Sequence, residues 1–467
     1  MKECLTKKYE YAWDKYSEEE LKKVFTLSEN YRNFMSNFKT ERECANEFVR
    51  LAKENGYKDL KEIIKKDKKL KAGDKVYAEH MDKTVALFII GENPMEEGLN
   101  ILGAHIDSPR LDLKQNPLYE NTDLALLETH YYGGIKKYQW VTLPLAIHGV
   151  VVKEDGTKIN MVIGEDESDP VVGISDLLIH LAKDQQDKKL AKAIEGENLN
   201  ILVGSIPIKD KDTKDRVRKN ILKILNEKYD IEEEDFVSAE LEIVPAGKAR
   251  DYGLDKSMIM AYGHDDRICA YTSFEAMMKL QNVKNTCVTL LVDKEEIGSV
   301  GATGMHSRFF ENTVSEIINL TSHKYSDLKL RRCLSNSKML SSDVTAAFDP
   351  NYPTVMEKKN SAYFGKGIVF NKYTGSRGKS GSNDANAEYV AKIRRIMKKH
   401  NVSWQTSELG KVDQGGGGTI AYILANYGME VIDCGIALHN MHAPWEVASK
   451  ADIYETMRGY HAFLTEA

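Results

Sequence analysis

The chain has 467 residues, with 65 lysine and arginine residues against 71 aspartate and glutamate residues, for a net charge of −6. This length exceeds what one hydrophobic core usually supports, so we expect two domains. The slightly acidic balance provides no general attraction to nucleic acid or to an anionic membrane, which favours a peptide or another small polar partner.

The N-terminal segment lacks an apolar core of signal-peptide length, and the sequence contains no apolar run long enough to span a membrane. These features predict a cytoplasmic protein. The six cysteines are scattered and include no Cys-x-x-Cys pair. We therefore interpret them as reduced thiols rather than as a disulfide framework or a zinc knuckle.

The N-terminal part begins with predicted helices, which lead into strands. Capping boxes mark the helix starts, and they pair Ser17 with Glu20 and Thr40 with Glu43. Runs of β-type residues between positions 75 and 91, on either side of a polar turn, predict a hairpin. A short apolar run from Leu99 to Ala104 predicts a further strand.

From about residue 111 to residue 249 the pattern changes. Short β-type runs mix with charged helical segments, and metal-ligand residue types are not clustered there. These runs are too short and irregular for the alternating strands and helices of a parallel sheet. We therefore predict a smaller β-rich domain, residues 111–249, inserted into a domain formed by residues 1–110 and 250–467.

After residue 250, buried-strand patterns alternate with helical patterns. The strand patterns are Met258 to Tyr262, Cys287 to Val292, Lys338 to Leu340 and Val431 to Leu438. Helices are predicted from Ala270 to Leu280 and from Gly301 to Leu320. This alternation is typical of an α/β domain with a mixed central sheet flanked by helices.

Acidic and imidazole side chains follow the predicted strands at their carboxyl ends. They are His105 with Asp107, Asp265 with Asp266, Glu295 with Glu296, Asp343, and His442. Strand ends meet along one edge of a sheet, so these side chains can converge on a single pocket. Taken alone, the adjacent glutamates are more typical of a solvated charged turn. Many carboxylates with two histidines and no cysteine favour a dinuclear site of zinc, manganese or cobalt over a structural zinc site.

A dinuclear site would support hydrolysis. Water that bridges two metal ions is acidified enough to attack an amide near neutral pH. Of two adjacent glutamates, one can bind a metal while the other moves protons. A phosphatase or a deacylase could use similar carboxylates, and a non-catalytic scaffold is the third alternative. A scaffold, however, has no use for so many adjacent buried charges.

Six segments are distinctive in combination: GAHIDSPRLDL, GHDDR, DKEEIGS, SSDVTAAFDP, KVDQGGGGTIA and CGIALHNMHAPWE. In order and spacing they resemble the aminopeptidase I and aspartyl aminopeptidase family of dinuclear metallopeptidases, over about Ile101 to Glu446. The resemblance implies a zinc-peptidase type of α/β fold and release of the N-terminal residue from peptides. It also implies two divalent metal ions, zinc with cobalt or manganese as alternatives, and attack by a metal-bound hydroxide.

The resemblance also implies a role for each site residue. It implies metal ligands at His105, Asp265, Glu296, Asp343 and His442. It makes Asp265 the bridging ligand and Glu295 the general base, and it implies a cis peptide bond between Asp265 and Asp266. Asp107 shares a strand face with His105, where a carboxylate would fix the tautomer of the imidazole.

His148 ends a Leu-Ala-Ile-His run within the inserted domain. Taken alone, a histidine beside apolar residues is usually an ordinary core or interface residue. The resemblance implies instead that His148 stabilises the oxyanion in the active site of a neighbouring subunit. It further implies a homo-oligomer, a dodecamer built from dimers, with residues 111–249 as the dimerisation domain. Whether the preferred N-terminal residue is acidic or neutral is left open.

Overall fold

The computed structural model describes residues 9–467. Its strands are β1 (Lys58–Asp59), β2 (Lys75–His80), β3 (Thr84–Ile89), β4 (Asn100–His105), β5 (Arg110–Asn121), β6 (Leu124–Tyr132), β7 (Leu145–Val152), β8 (Lys158–Ile163), β9 (Ile201–Gly204), β10 (Ala239–Pro245), β11 (Arg250–Tyr252), β12 (Met258–Ala261), β13 (Cys287–Val292), β14 (Lys338–Ser342), β15 (Thr345–Ala346), β16 (Ile368–Asn371), β17 (Trp404–Thr406), β18 (Glu430–Gly435), β19 (Ala437–His439) and β20 (Glu446–Ser449). Its helices are α1 (Glu18–Asn37), α2 (Glu41–Glu54), α3 (Leu60–Lys65), α4 (Lys183–Gln186), α5 (Leu190–Ala193), α6 (Arg216–Tyr229), α7 (His264–Met278), α8 (Phe309–Thr321), α9 (Asp327–Asn336), α10 (Ala387–Lys399), α11 (Ala421–Ala425) and α12 (Lys450–Glu466).

Local sequence explains where the first helices begin. At the start of α1, Ser17 Oγ accepts the backbone N–H of Glu20 at 3.2 Å, and the Glu20 carboxylate accepts the backbone N–H of Ser17 at 3.0 Å. Thr40 and Glu43 make the same reciprocal bonds at the start of α2. Both capping boxes predicted from the sequence are therefore confirmed.

The helix predicted from Gly301 begins later, at Phe309. The preceding segment folds back on itself, because the backbone N–H of His306 donates to the carbonyl of Ser299 at 3.1 Å. The hydroxyl of Thr303 also donates to a carboxylate oxygen of Asp293 at 2.6 Å. These tertiary bonds compete with helical ones, so the helix starts only after them.

The chain divides into two compact units. The first contains the N-terminal residues through Asp107, Arg250–Met441 and Glu446–Ala467, and the second contains Ser108–Ala249 and His442–Trp445. The predicted boundaries, near residues 110 and 250, lie close to these, while the roles given to the two domains stay predictions. The observed division differs from the predicted one in the short segment His442–Trp445, which belongs to the second unit.

The first unit contains a mixed central sheet. Its nine strands have the order β1-β2-β3-β13-β4-β14-β18-β16-β17. The four strands β13, β4, β14 and β18 are parallel neighbours, whereas β3 and β16 run antiparallel to them. Helices α7 and α12 contact β4, and α8 and α11 share an apolar core with β4 and β13. The predicted α/β class, with helices flanking a mixed sheet, is confirmed.

A five-stranded sheet with the order β11-β12-β20-β19-β15 completes the first unit. The second unit is built on a six-stranded sheet with the order β8-β7-β10-β5-β6-β9, in which all neighbours are antiparallel. Among residues 9–467, no helix combines the length and the apolar character that crossing a bilayer requires. Cys4 lies outside the described residues, and the five cysteines within them are buried and form no disulfide.

Candidate metal centre

Adjacent parallel strands of the central sheet end at one place. Strand β4 ends at His105, and its parallel partner in β13 is Val292, the last residue of that strand. Strand β14 pairs with β4 on the other side and in the same direction. The segments that leave β13 and β14 carry Glu295, Glu296 and Asp343. The strand order thus brings side chains that are distant in sequence to the same sheet edge.

Carboxylates surround the buried imidazole of His105, which is 1% exposed. Its Nε2 atom lies 3.3 Å from Asp265 Oδ1, 3.9 Å from Glu295 Oε2 and 3.9 Å from Asp343 Oδ1. This Nε2 atom makes no hydrogen bond within the described part of the chain. An imidazole nitrogen that faces several carboxylates without a hydrogen bond is a donor suited to a metal ion.

The side chains form two overlapping sets of potential ligands. In one set, ligand atoms of His105, Asp265 and Glu296 lie within 4.8 Å of one another. In the other, ligand atoms of His105, Asp266 and Asp343 do so. One imidazole with several carboxylates is a donor set that zinc accepts, and cobalt and manganese share these preferences.

Asp107 connects the histidine to the paired glutamates. Its carboxylate accepts the backbone N–H of Glu295 at 3.1 Å and that of Glu296 at 3.2 Å. On the other side, His105 Nδ1 lies 3.2 Å from Asp107 Oδ1 and 3.0 Å from the Asp107 carbonyl oxygen. These contacts orient the ring so that Nε2 points to the other carboxylates.

The buried charged groups of the cluster shift each other's pKa values. Burial lowers the pKa of His105, but the carboxylates of Asp107 and Asp265 outweigh burial and hold the pKa well above its usual value. Burial raises the pKa of Asp343 well above its usual value, and the negative charges of Glu295 and Asp265 add to the effect. Burial likewise raises the pKa of Asp266. Carboxylates this crowded and buried need a positive charge among them to stay ionised at neutral pH.

Asp265 and Asp266 lie in the first turn of α7 and are joined by a cis peptide bond, which the resemblance implied. Their backbone angles are not helical, so the helix bends at this point. The backbone N–H of Asp265 donates to Glu446 Oε2 at 3.0 Å. Glu446 is 1% exposed, and it therefore holds the start of α7 from within the core.

A family model for aminopeptidase I zinc metalloproteases (M18) matches residues 34–464. This chain belongs to the M18 family. The probable M18 family aminopeptidase 1 of Clostridium acetobutylicum is 69% identical over 460 residues, which are 98% of this chain and 99% of that protein. The crystal structure of aminopeptidase I from Clostridium acetobutylicum is 68% identical, has a TM-score of 0.92, and covers 99% of this chain and 100% of that chain. The solved S. cerevisiae mApe1 dodecamer is 20% identical with a TM-score of 0.75, covers 95% of this chain and 97% of that one, and is similar in fold alone.

Membership of the M18 family confirms that the protein is a metalloaminopeptidase of a zinc-dependent family. The prediction of a metal-dependent aminopeptidase, drawn from the six segments, is therefore correct. The phosphatase, the deacylase and the non-catalytic scaffold are set aside, because the chain matches aminopeptidases over almost its whole length.

Two predicted site residues of this M18 aminopeptidase lie in its second unit. His442 Nδ1 is 2.8 Å from the carbonyl oxygen of Gly134, and neither set of potential ligands found among the described residues includes His442. His148 lies in β7 and is 2% exposed. The roles predicted for both histidines stay predictions.

Two residues have a more definite place in the structure than in the sequence analysis, which put Asp266 among the strand-end side chains without a ligand role and gave Glu446 no role. Asp266 belongs to the second set of potential ligands, beside Asp343. Glu446 holds the backbone of Asp265 across the five-stranded sheet, where Glu446 is the antiparallel partner of Ala261. Glu446 ends the segment CGIALHNMHAPWE, but no sequence spacing connects its carboxylate to Asp265.

Proposed function

We propose that this M18 aminopeptidase holds two divalent metal ions, with zinc as the native metal, and uses them to release the N-terminal residue of peptides. The residues that would hold the ions are His105, Asp265, Glu296, Asp343 and His442, and Asp265 would be shared by both. The observation that carries the proposal is the imidazole of His105, whose Nε2 atom lies within 3.9 Å of carboxylate oxygens from Asp265, Glu295 and Asp343.

The donor set fits the proposed metal. His105 Nε2 makes no hydrogen bond among the described residues, and the pKa of Asp343 is raised by burial and by its carboxylate neighbours. A cation suits both features, because it accepts the imidazole lone pair and lowers the pKa of carboxylates that burial would otherwise keep protonated. Bound ions of this kind lower the pKa of water and polarise a peptide carbonyl.

Glu295 is the proposed general base. Its carboxylate belongs to the same cluster, with Oε2 at 3.9 Å from Nε2 of His105. Its backbone is fixed by the carboxylate of Asp107. From this position Glu295 takes a proton from the attacking water and returns it to the amine that leaves the peptide. Asp107 takes no proton in this scheme; it orients His105 and both glutamates.

His148 is the proposed oxyanion donor for the active site of a neighbouring copy of the chain. Because His148 is 2% exposed in the single chain, this role requires oligomerisation to bring its imidazole to that site, and we propose a dodecamer built from dimers through residues 111–249. The dodecameric mApe1, which has the same fold, supports this assembly. A cytoplasmic location stays a prediction.

A metal titration tests the proposal. Purified protein is stripped with a chelator, and zinc is added back while binding heat and hydrolysis of an aminoacyl p-nitroanilide are followed. We expect two equivalents of zinc per chain and recovery of activity only as the second binds. Asp343→Asn should bind fewer equivalents, whereas Asp349→Asn, which caps a turn at Asn351, should behave as the native protein does. Full activity with one equivalent would refute the dinuclear proposal.

A further inference from the structure

A carboxylate contacts the imidazole of His148 inside the second unit. His148 lies in β7 with 2% of its surface exposed. Its Nε2 atom is 3.1 Å from Glu165 Oε1, and the side chain of Glu165 is only 17% exposed. A hydrogen bond between an imidazole and a carboxylate is stronger in such a shielded setting than on an open surface.

The position of Glu165 is fixed by the turn that follows β8. Gly164 has a φ of +104°, and a Cβ atom at this position would lie 3.1 Å from the Cα atom of Ala146 in β7. Only glycine fits this close approach without strain, and it turns the chain so that Glu165 reaches His148. The second carboxylate oxygen, Oε2, accepts the backbone N–H of Gly247 at 3.4 Å. Glu165 is thus held at both oxygens.

The neighbouring strands place one more charged pair beside His148. Strand β7 lies between β8 and β10, where the residues opposite His148 are Val162 and Glu242. Glu242 is 5% exposed, and its Oε2 atom lies 3.1 Å from Nε of Arg110. Arg110 Nε also donates to Asp112 Oδ1 at 2.8 Å, so Glu242 shares the charge of this arginine with Asp112, whereas the carboxylate of Glu165 is directed to the imidazole.

We propose that Glu165 is a positioning residue for His148 in the aminopeptidase reaction. This inference rests on the role of His148 proposed above. A carboxylate bound to one ring nitrogen fixes the orientation of the ring and determines the proton at the other nitrogen. Because Nε2 donates to the carboxylate, Nδ1 can donate to an oxyanion only when the ring carries both protons, and the carboxylate stabilises this positively charged form. Glu165 itself touches no substrate and acts only through the imidazole.

A double-mutant cycle on the zinc-loaded oligomer tests this inference. Glu165→Gln keeps the shape of the side chain and removes its charge. We expect kcat for an aminoacyl p-nitroanilide to fall about tenfold, with KM changed by less than about twofold and with zinc content unchanged. The same substitution made in His148→Ala should cause no further loss of kcat, because the residue through which it acts is gone. Glu167→Gln removes an exposed charge from the same turn and should leave kcat unchanged.

The outcomes separate this inference from the proposed function. If His148→Ala leaves kcat unchanged, the oxyanion role of His148 is wrong and Glu165 has nothing to position. Suppose that His148→Ala lowers kcat. The inference about Glu165 is then overturned if Glu165→Gln lowers kcat by the same factor in the native protein and in His148→Ala, or if it lowers kcat in neither protein. The role of His148 stands in both cases. If Glu165→Gln does not assemble, Glu165→Asp replaces it in the cycle, and its loss of kcat should likewise vanish in His148→Ala.

Discussion

Asp107 is the residue whose replacement tests how the metal centre is organised. Its carboxylate accepts the backbone N–H groups of Glu295 and Glu296 at 3.1 and 3.2 Å, and it lies 3.2 Å from Nδ1 of His105. Asparagine has the same shape but only one acceptor oxygen in its side chain. In Asp107→Asn, one backbone N–H would therefore face the amide nitrogen instead of an acceptor.

The expected magnitude follows from the bonds that are lost. A hydrogen bond to a charged group contributes about 1.5–3 kcal/mol, and the substitution removes one such bond and the charge beside His105. At about 1.4 kcal/mol per factor of ten, this loss corresponds to roughly tenfold to hundredfold. Because the bonds orient a proposed ligand and the proposed base together, we expect zinc affinity and kcat/KM each to fall by about that factor.

Zinc affinity is measured by competition with a chromogenic chelator, and kcat/KM at saturating zinc with an aminoacyl p-nitroanilide. Asp452→Asn is the matched control. Asp452 is also fully buried and accepts two backbone N–H groups, from Gly365 at 2.8 Å and from Gly367 at 2.7 Å. The control should leave zinc affinity unchanged. An Asp107→Asn variant that binds zinc within twofold of the native protein would refute the reasoning, because the carbonyl of residue 107 would then suffice to orient the ring.

Three further substitutions test separate parts of the interpretation. Glu295→Gln should keep both zinc ions by elemental analysis while kcat falls by a few orders of magnitude, and near-normal turnover would contradict the assignment of the base. Burial raises the pKa of Asp433 to about 7, so the stability that its protonated form provides is lost as pH rises from about 4 through 7. The unfolding temperature of Asp433→Asn minus that of the native protein should therefore be a few °C larger at pH 8 than at pH 5. An equal difference at the two pH values would contradict the raised pKa. Ser17→Ala should cost about 1 kcal/mol of stability by removing a helix cap, with kcat unchanged.

Features that depend on a few neighbouring residues could be predicted from the sequence. The capping boxes at Ser17 and Thr40 are short-range patterns, because the bonds that they predict connect residues three apart. The buried strand Cys287–Val292 was predicted with its observed ends, since an apolar β-branched run stops at a charged cluster. The late start of α8 could not be predicted, because it depends on the bond from Thr303 to Asp293.

The sequence by itself determined which side chains stand at the ends of strands, and the combination of segments was sufficient to indicate an aminopeptidase of the M18 family. Only the tertiary structure decided which of these side chains meet. Strand β4 lies between β13 and β14, which come much later in the chain, and this order brings His105 to the carboxylates. The same holds for the bond between His148 and Glu165, whose positions are set by the antiparallel pairing of β7 with β8. Strand order and side-chain contacts of this kind arise from packing across the whole fold, and no local spacing of residues specifies them.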